Sequence, residues 1–190
     1  MDKNIVFLGI KHCGKSTQGQ LLSARLGRKF LDTDEMLSQS YMREYGSSCG
    51  ESSPREIMKR HGEEFFRRFE AETIRSYQQN AQPEPVVMAL GGGVPCNEFL
   101  STAELKKLGV LVYLAIDVDT AFKRIISHGV PPFLQSSDPY SKFTAIYEKR
   151  SPRYCELADI TIAVPPDPVK SELNDDIYNT LIKNKVLKAI

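Results

Sequence analysis

The sequence predicts a single α/β domain built on a parallel sheet, and three observations carry that expectation. Short apolar segments alternate with helical stretches along the chain, the signature of βαβ units. The first apolar run, Ile5 to Leu8, stops at Gly9, and a helix begins at Lys15 after a glycine-punctuated loop. A chain of 190 residues, 41% hydrophobic and 26% charged, buries one proper core and is too apolar for disorder.

Ile5 to Leu8 is continuously apolar, as a strand covered on both faces should be. The helix after it runs from Lys15 to Leu26 and is stopped by Gly27. Lys29 to Leu31 is a short second strand ending at Asp32. Residues 34–80 are mostly helical, interrupted by the turn-rich stretch from Tyr45 to Pro54. Pro85 to Leu90 is a third strand that ends in three glycines, and Glu98 to Leu108 a helix. Val110 to Ile116 is the fourth strand, and Asp119 to Ser127 the helix after it. His128 to Ser141 is loop by its Gly, Pro and Ser content. Lys142 to Leu157 is helical with a break expected at Pro152. Asp159 to Val164 is the last strand, and a proline-rich turn leads to a C-terminal helix. Ligands of such sheets bind at the carboxyl ends of the strands, so the loop from Gly9, the pair Asp32 and Asp34, and Gly91-Gly92-Gly93 are expected to share one crevice.

A formal net charge of +1 gives no electrostatic case for nucleic acid or an anionic membrane as partner. No apolar run approaches the ~20 residues of a membrane span. Met1 to Asn4 leads straight into the first strand and leaves no room for a signal or transit peptide, so a cytoplasmic protein is expected. The four cysteines, Cys13, Cys49, Cys96 and Cys155, form no metal-binding spacing and are expected as reduced thiols. Cys13 lies inside the glycine loop, where a small filler residue is favoured over a reactive thiol.

Gly9-Ile10-Lys11-His12-Cys13-Gly14-Lys15-Ser16, with Thr17 next, fits the phosphate-loop pattern GxxxxGK[ST]. Its glycines let backbone N–H groups turn inward, and the helix N-terminus adds partial positive charge. Lys15 is expected to reach the β- and γ-phosphates of ATP, and the Ser16 hydroxyl to ligate Mg²⁺. Asp32 and Asp34 stand beyond the second strand, suited to holding a Mg²⁺ water and to orienting or deprotonating an acceptor hydroxyl; an Asp there also suits a helix N-cap. Glu63–Arg67 and Glu64–Arg68 are i,i+4 pairs, and their spacing alone reads as a solvated, salt-bridged helix face. The three glycines at 91–93 permit close approach of a ligand to backbone, or a plain tight turn.

The ordered set GKST, FLDTD, GEEFFRRFE, LGGG and RSPRY resembles the shikimate kinases, over nearly the whole chain. The resemblance implies a P-loop kinase with five parallel strands in order 2-3-1-4-5, a substrate-binding insert over about 34–80 and a lid over about 128–141, all within one domain spanning 1–190. It implies Mg²⁺-ATP-dependent phosphorylation of the 3-hydroxyl of shikimate, in chorismate and aromatic amino-acid biosynthesis; a small-molecule substrate and a monomer are expected. By the same resemblance Asp32 helps hold Mg²⁺ and Asp34 binds the substrate hydroxyls and acts as base. Arg67, supported by Glu70, and Arg150 grip the shikimate carboxylate; Gly91, Gly92 and Gly93 line its pocket; Arg124 lies beside adenine. Two arginines on one carboxylate make physical sense, because guanidinium matches it bidentately.

Two departures stand out. The lid of such kinases usually reads RPLL, with an arginine that reaches the transferring phosphate; here Pro131 takes its place and no arginine occurs from His128 to Ser141. Lys11 and Lys142 are the candidates to supply the charge. The stretch between Asp34 and Arg67 is also longer than expected by roughly two helical turns, the extra residues falling around Tyr41 to Ser53. The rival readings are a kinase for another hydroxylated acid such as gluconate, and a nucleotide-binding protein with little turnover.

Overall fold

The computed structural model describes residues 3–46, 52–80, 84–127, 129–131 and 134–188. Five strands, β1 (Ile5–Leu8), β2 (Phe30–Asp32), β3 (Val87–Ala89), β4 (Val110–Ala115) and β5 (Ile160–Ala163), form one sheet in the order β2-β3-β1-β4-β5. All four pairings are parallel, with Ile5 opposite both Val87 and Val110. β1 is buried along its whole length because strands flank it on both edges and helices cover it; the edge strand β5 alternates buried and exposed residues.

The chain leaves β1 for β2 and β3 on one side and returns to β4 and β5 on the other. β1 therefore marks the switch point at which a crevice opens beyond the strand ends. The helix α1 (Lys15–Leu26) starts there, packs on β1 and β3, and stops at Gly27 in a left-handed conformation (φ 63°). The C-terminal helix α8 (Lys170–Lys183) packs against α1, and the buried Asn174 side chain donates to Gln18 O and Gln18 Oε1 at 3.1 and 3.0 Å.

Helices α2 (Thr33–Tyr45), α3 (Pro54–His61) and α4 (Glu63–Gln79) occupy the insert between β2 and β3. They own a second, smaller core of Leu37, Tyr41, Ile57, Phe66 and Phe69. Farther along α4, Ala71 and Ile74 join the main core. One helix thus spans both cores, which fixes its N-terminal half, with Arg67 and Glu70, relative to the sheet.

Several boundaries differ from expectation for physical reasons. The helix expected over 98–108 shrinks to α5 (Thr102–Lys106), because Ser101 and Glu104 form a capping box that starts it late. A 3₁₀ turn, Val94–Cys96, occupies part of the connection before it. α6 (Val118–Ile126) begins one residue early, where Asp117 caps it. α7 (Pro139–Leu157) also begins early, capped by Asp138, and runs through Pro152 without the expected break. Tertiary anchors hold it on both sides of the proline: Arg150 and Tyr154 donate to Gly92 O, and Arg153 to Pro95 O. Among the described residues no helix is long and apolar enough to cross a membrane.

Candidate active site

The expected convergence occurs. The loop after β1, the end of β2 and the glycines after β3 line one cleft of about 1220 Å³ at the carboxyl ends of the strands. The phosphate loop forms its base. Gly9 and Gly14 take φ of 143° and 104°, conformations that favour glycine, while His12 holds a left-handed φ of 63° at a cost of about 1 kcal/mol or more. α1 opens into the cleft with no side-chain cap and no acid in its first turn, so its orphan N–H groups are available to an anion. Lys15 is buried, and its Nζ donates to Gly9 O and Ile10 O at 2.9 and 3.0 Å. Cys13 is fully buried in the loop, as a filler residue is, and Cys49 lies outside the described residues.

Asp32 does two jobs with two oxygens. Oδ1 accepts the Asp34 N–H at 3.0 Å and caps α2, while Oδ2 accepts from Ser16 Oγ at 2.7 Å. Capping and site chemistry, alternatives in the sequence, are compatible here. The cap also sets Asp34 in the first turn of α2, beside Gly91. A Cβ at Gly91 would overlap Asp34 Oδ1, and one at Gly93 would lie 2.8 Å from Arg67 Nη1. Side chains at those positions would displace functional groups before they disturbed the core. At Gly92 a Cβ would make only ordinary contacts; there the carbonyl matters, accepting from Arg150 Nη1 at 3.3 Å and Tyr154 Oη at 2.6 Å.

Arg67 and Arg68 show what spacing alone hides. Both form their i,i+4 pairs, at 3.4 Å to Glu63 and 3.0 Å to Glu64, but the Arg67 side chain is 13% exposed and that of Arg68 58%. Arg67 Nη1 also donates to Gly93 O at 3.4 Å and lies 3.9 Å from the buried Glu70 Oε2. Arg68 lies over the Phe99 ring. At the other end of the cleft, Arg124 donates to His12 O, Pro165 O and Pro166 O, and the segment Pro166 to Lys170 completes that wall.

Asp34 opens to solvent yet sits among the cleft walls. That desolvation raises its pKa above the usual aspartate value; the Asp32 charge adds to the rise, and Lys15 and then Lys11 oppose it. Burial likewise raises the pKa of Glu70, against the pull of a hydrogen bond from Asn97 and the charge of Arg67.

A family model described as "SKI: Shikimate kinase" matches residues 11–182. The chain belongs to the shikimate kinase family. It is 35% identical to the shikimate kinase of Bradyrhizobium diazoefficiens over 90% of this chain and 77% of that one. The shikimate kinase of a Synechococcus species is also 35% identical, over 94% of this chain and 84% of that one. Among solved structures, shikimate kinase from Acinetobacter baumannii in complex with shikimate matches with a TM-score of 0.79 at 28% identity, covering 98% of this chain and 97% of that one.

The stretch 128–141, expected as the lid, contains no arginine. The described residues of this stretch, 129–131 and 134–141, stand outside the lining of the cleft, and Leu134 is buried with its N–H on Pro131 O at 2.9 Å. His128 and residues 132–133 lie outside the described part. Of the two cations expected to compensate, Lys11 lines the cleft, whereas Lys142 is exposed in the first turn of α7 and does not. Of the longer stretch, α2 accounts for residues up to Tyr45, and residues 47–51 lie outside the described part.

Sequence reasoning missed three contributors. Tyr154 was present in the RSPRY set but had no assigned job; the segment from Pro166 read only as a turn; and Asn97 had no signal, because Arg67 and Glu70, to which its amide donates, are distant in sequence.

Proposed function

We propose that this chain transfers the γ-phosphoryl group of ATP to the 3-hydroxyl of shikimate, a step of chorismate and aromatic amino-acid biosynthesis. The observation that carries this reading is the arrangement of two chemistries on one cleft: a phosphate loop with Lys15 and Ser16 at one end, and Asp34, Arg67 and Arg150 around the glycine segment at the other. Its closeness to a relative solved in complex with shikimate supports the choice of acceptor.

Phosphoryl transfer of this kind is mostly positioning and charge stabilisation. Lys15 exchanges its loop carbonyls for the β- and γ-phosphates, which the N-terminus of α1 also receives. Arg124 and the segment from Pro165 flank the nucleotide. Arg67 and Arg150 hold the acceptor's carboxylate, with Glu70 behind Arg67. Asp34 orients the acceptor hydroxyl and takes its proton; its raised pKa makes it a better base than an ordinary aspartate. Lys11, on the loop beside Gly92, contributes positive charge where the lid offers none.

The residues present fit a magnesium ion. Ser16 Oγ and Asp32 Oδ2 are neighbouring hard oxygen donors at the cleft. Among the described residues no group of three or more His, Cys, Asp or Glu is placed to hold a metal. Mg²⁺ at kinase sites takes one or two protein oxygens and completes its shell with water and phosphate. When bound, it offsets phosphate charge. A coupled ADP-release assay with shikimate and gluconate as rival acceptors tests the reading: shikimate-dependent release supports it, and release on gluconate alone overturns it.

A further inference from the structure

Asn97 lies just beyond the 3₁₀ turn that leads out of the glycine segment, and only 3% of it is exposed. Its Nδ2 donates twice, to the backbone carbonyl of Arg67 and to Glu70 Oε2, each at 2.8 Å. Its Oδ1 accepts from the Phe99 N–H at 2.9 Å. Two acceptors face one end of the amide and a donor faces the other, so only one orientation satisfies all three contacts.

These bonds close a circuit. Glu70 Oε2, which receives Asn97, also faces Arg67 Nη1, and the same Nη1 reaches back to Gly93 O. The circuit joins α4 to the glycine segment, the two elements that carry the acceptor end of the cleft. It also favours the charged form of a buried carboxylate. Burial pushes the Glu70 pKa up, and the Asn97 hydrogen bond is the largest effect opposing that rise. The charged groups facing Glu70 are Arg67 on its own helix, Asp34 on α2 and Arg150 on α7.

We propose that Asn97 is a positioning residue for acceptor recognition: by tying Glu70 and the α4 backbone to the glycine segment, it fixes the Arg67 guanidinium where the acceptor's carboxylate binds. The inference rests on the assignment of Arg67 above. It goes beyond that assignment in naming a residue that touches neither nucleotide loop nor acceptor and yet sets affinity for one substrate and not the other.

The test is steady-state kinetics of Asn97→Leu, which keeps volume and removes the hydrogen bonds, across the neutral pH range. The KM for shikimate is expected to rise about tenfold or more, the scale of a hydrogen bond to a charged group, and the KM for ATP to stay within about twofold, the scatter of a remote site. The shikimate penalty should shrink as pH rises. Without its amide donor Glu70 ionises only at higher pH, and once ionised it again attracts Arg67. General structural damage would raise both KM values with no such trend. Glu70→Gln should raise the shikimate KM without the trend, and adding Asn97→Leu to it should cost less than Asn97→Leu alone, because the two residues act as a unit. If Asn97→Leu does not fold, Asn97→Ser, too short to reach both acceptors, serves the same comparison. An unchanged shikimate KM, or full additivity with Glu70→Gln, overturns the role of Asn97 while Arg67→Ala still raises that KM. An unchanged KM in Arg67→Ala overturns the carboxylate grip itself, and the inference with it.

Discussion

Replacing Arg67 and Arg68 separately by alanine asks whether burial, rather than spacing, decides which arginine binds the acceptor. The two are neighbours on α4 and have equivalent partners one turn back. They differ in what else they touch. Arg67 reaches Gly93 O and Glu70 from a side chain that is largely buried, and Arg68 rests on an aromatic ring near the surface. Truncating Arg67 removes a charged hydrogen bond to the acceptor's carboxylate, worth about 1.5–3 kcal/mol. That range corresponds to about 10–150-fold in the shikimate KM. Arg150 stays in place, so binding is weakened and not abolished. Truncating Arg68 removes an exposed pair worth about 0.3–0.5 kcal/mol, and both KM values should stay within about twofold. The assay couples ADP release to a chromogenic readout, with shikimate titrated at saturating ATP and then the reverse. If Arg68→Ala raised the shikimate KM and Arg67→Ala did not, the grip would be assigned one residue off. If neither did, the acceptor would not be held by its carboxylate from this helix.

Lys15→Ala should abolish phosphoryl transfer and leave the circular dichroism and melting profile near those of the parent, because the ammonium bonds only loop atoms; near-normal turnover in that variant would contradict the kinase assignment. Lys11→Ala should lower kcat by about 10–100-fold, part of the 10³–10⁵ that a cationic finger supplies in the best-studied cases, while Lys142→Ala leaves it unchanged and Pro131→Arg raises it. Equal kcat in all four proteins would show that charge at the lid is dispensable. Activity should fall on the acid side as Asp34 protonates, and that limb should lie above the ordinary aspartate value near 3.9, because burial and Asp32 raise the pKa. Removing Lys11 takes away an opposing charge, so the limb should move to still higher pH in Lys11→Ala; a shift to lower pH would mean that Asp34 is not the titrating group.

The parts of the fold that were legible are those whose signals are local. The buried run at Ile5 to Leu8, the glycine loop and the stop at Gly27 each encode their own backbone, and α1 falls where the sequence places it. The late start of α5 was also written locally, in Ser101 and Glu104, and was overlooked. Pro152 is different. Its backbone preference favours a break, and the helix continues because Arg150, Arg153 and Tyr154 anchor both sides of it to carbonyls far away in the chain. Site residues divide the same way. Lys15, Ser16 and the aspartates stand in recognisable local patterns. Arg67 is indistinguishable from Arg68 by spacing, and it was the family resemblance that separated them; the structure supplies the physical difference, through a helix that spans two cores. Asn97 bonds Arg67 and Glu70 some 30 residues away in sequence, and a single sequence holds no trace of those contacts.

The most direct measurement is ADP release by the purified chain with ATP, Mg²⁺ and shikimate, with the product's phosphate located by NMR. Shikimate-dependent turnover yielding the 3-phosphate, and little or none with gluconate, is the expected result. Tight nucleotide binding with no ADP release on either acceptor would contradict the assignment, and would mark the cleft as a nucleotide site whose lid no longer supports transfer.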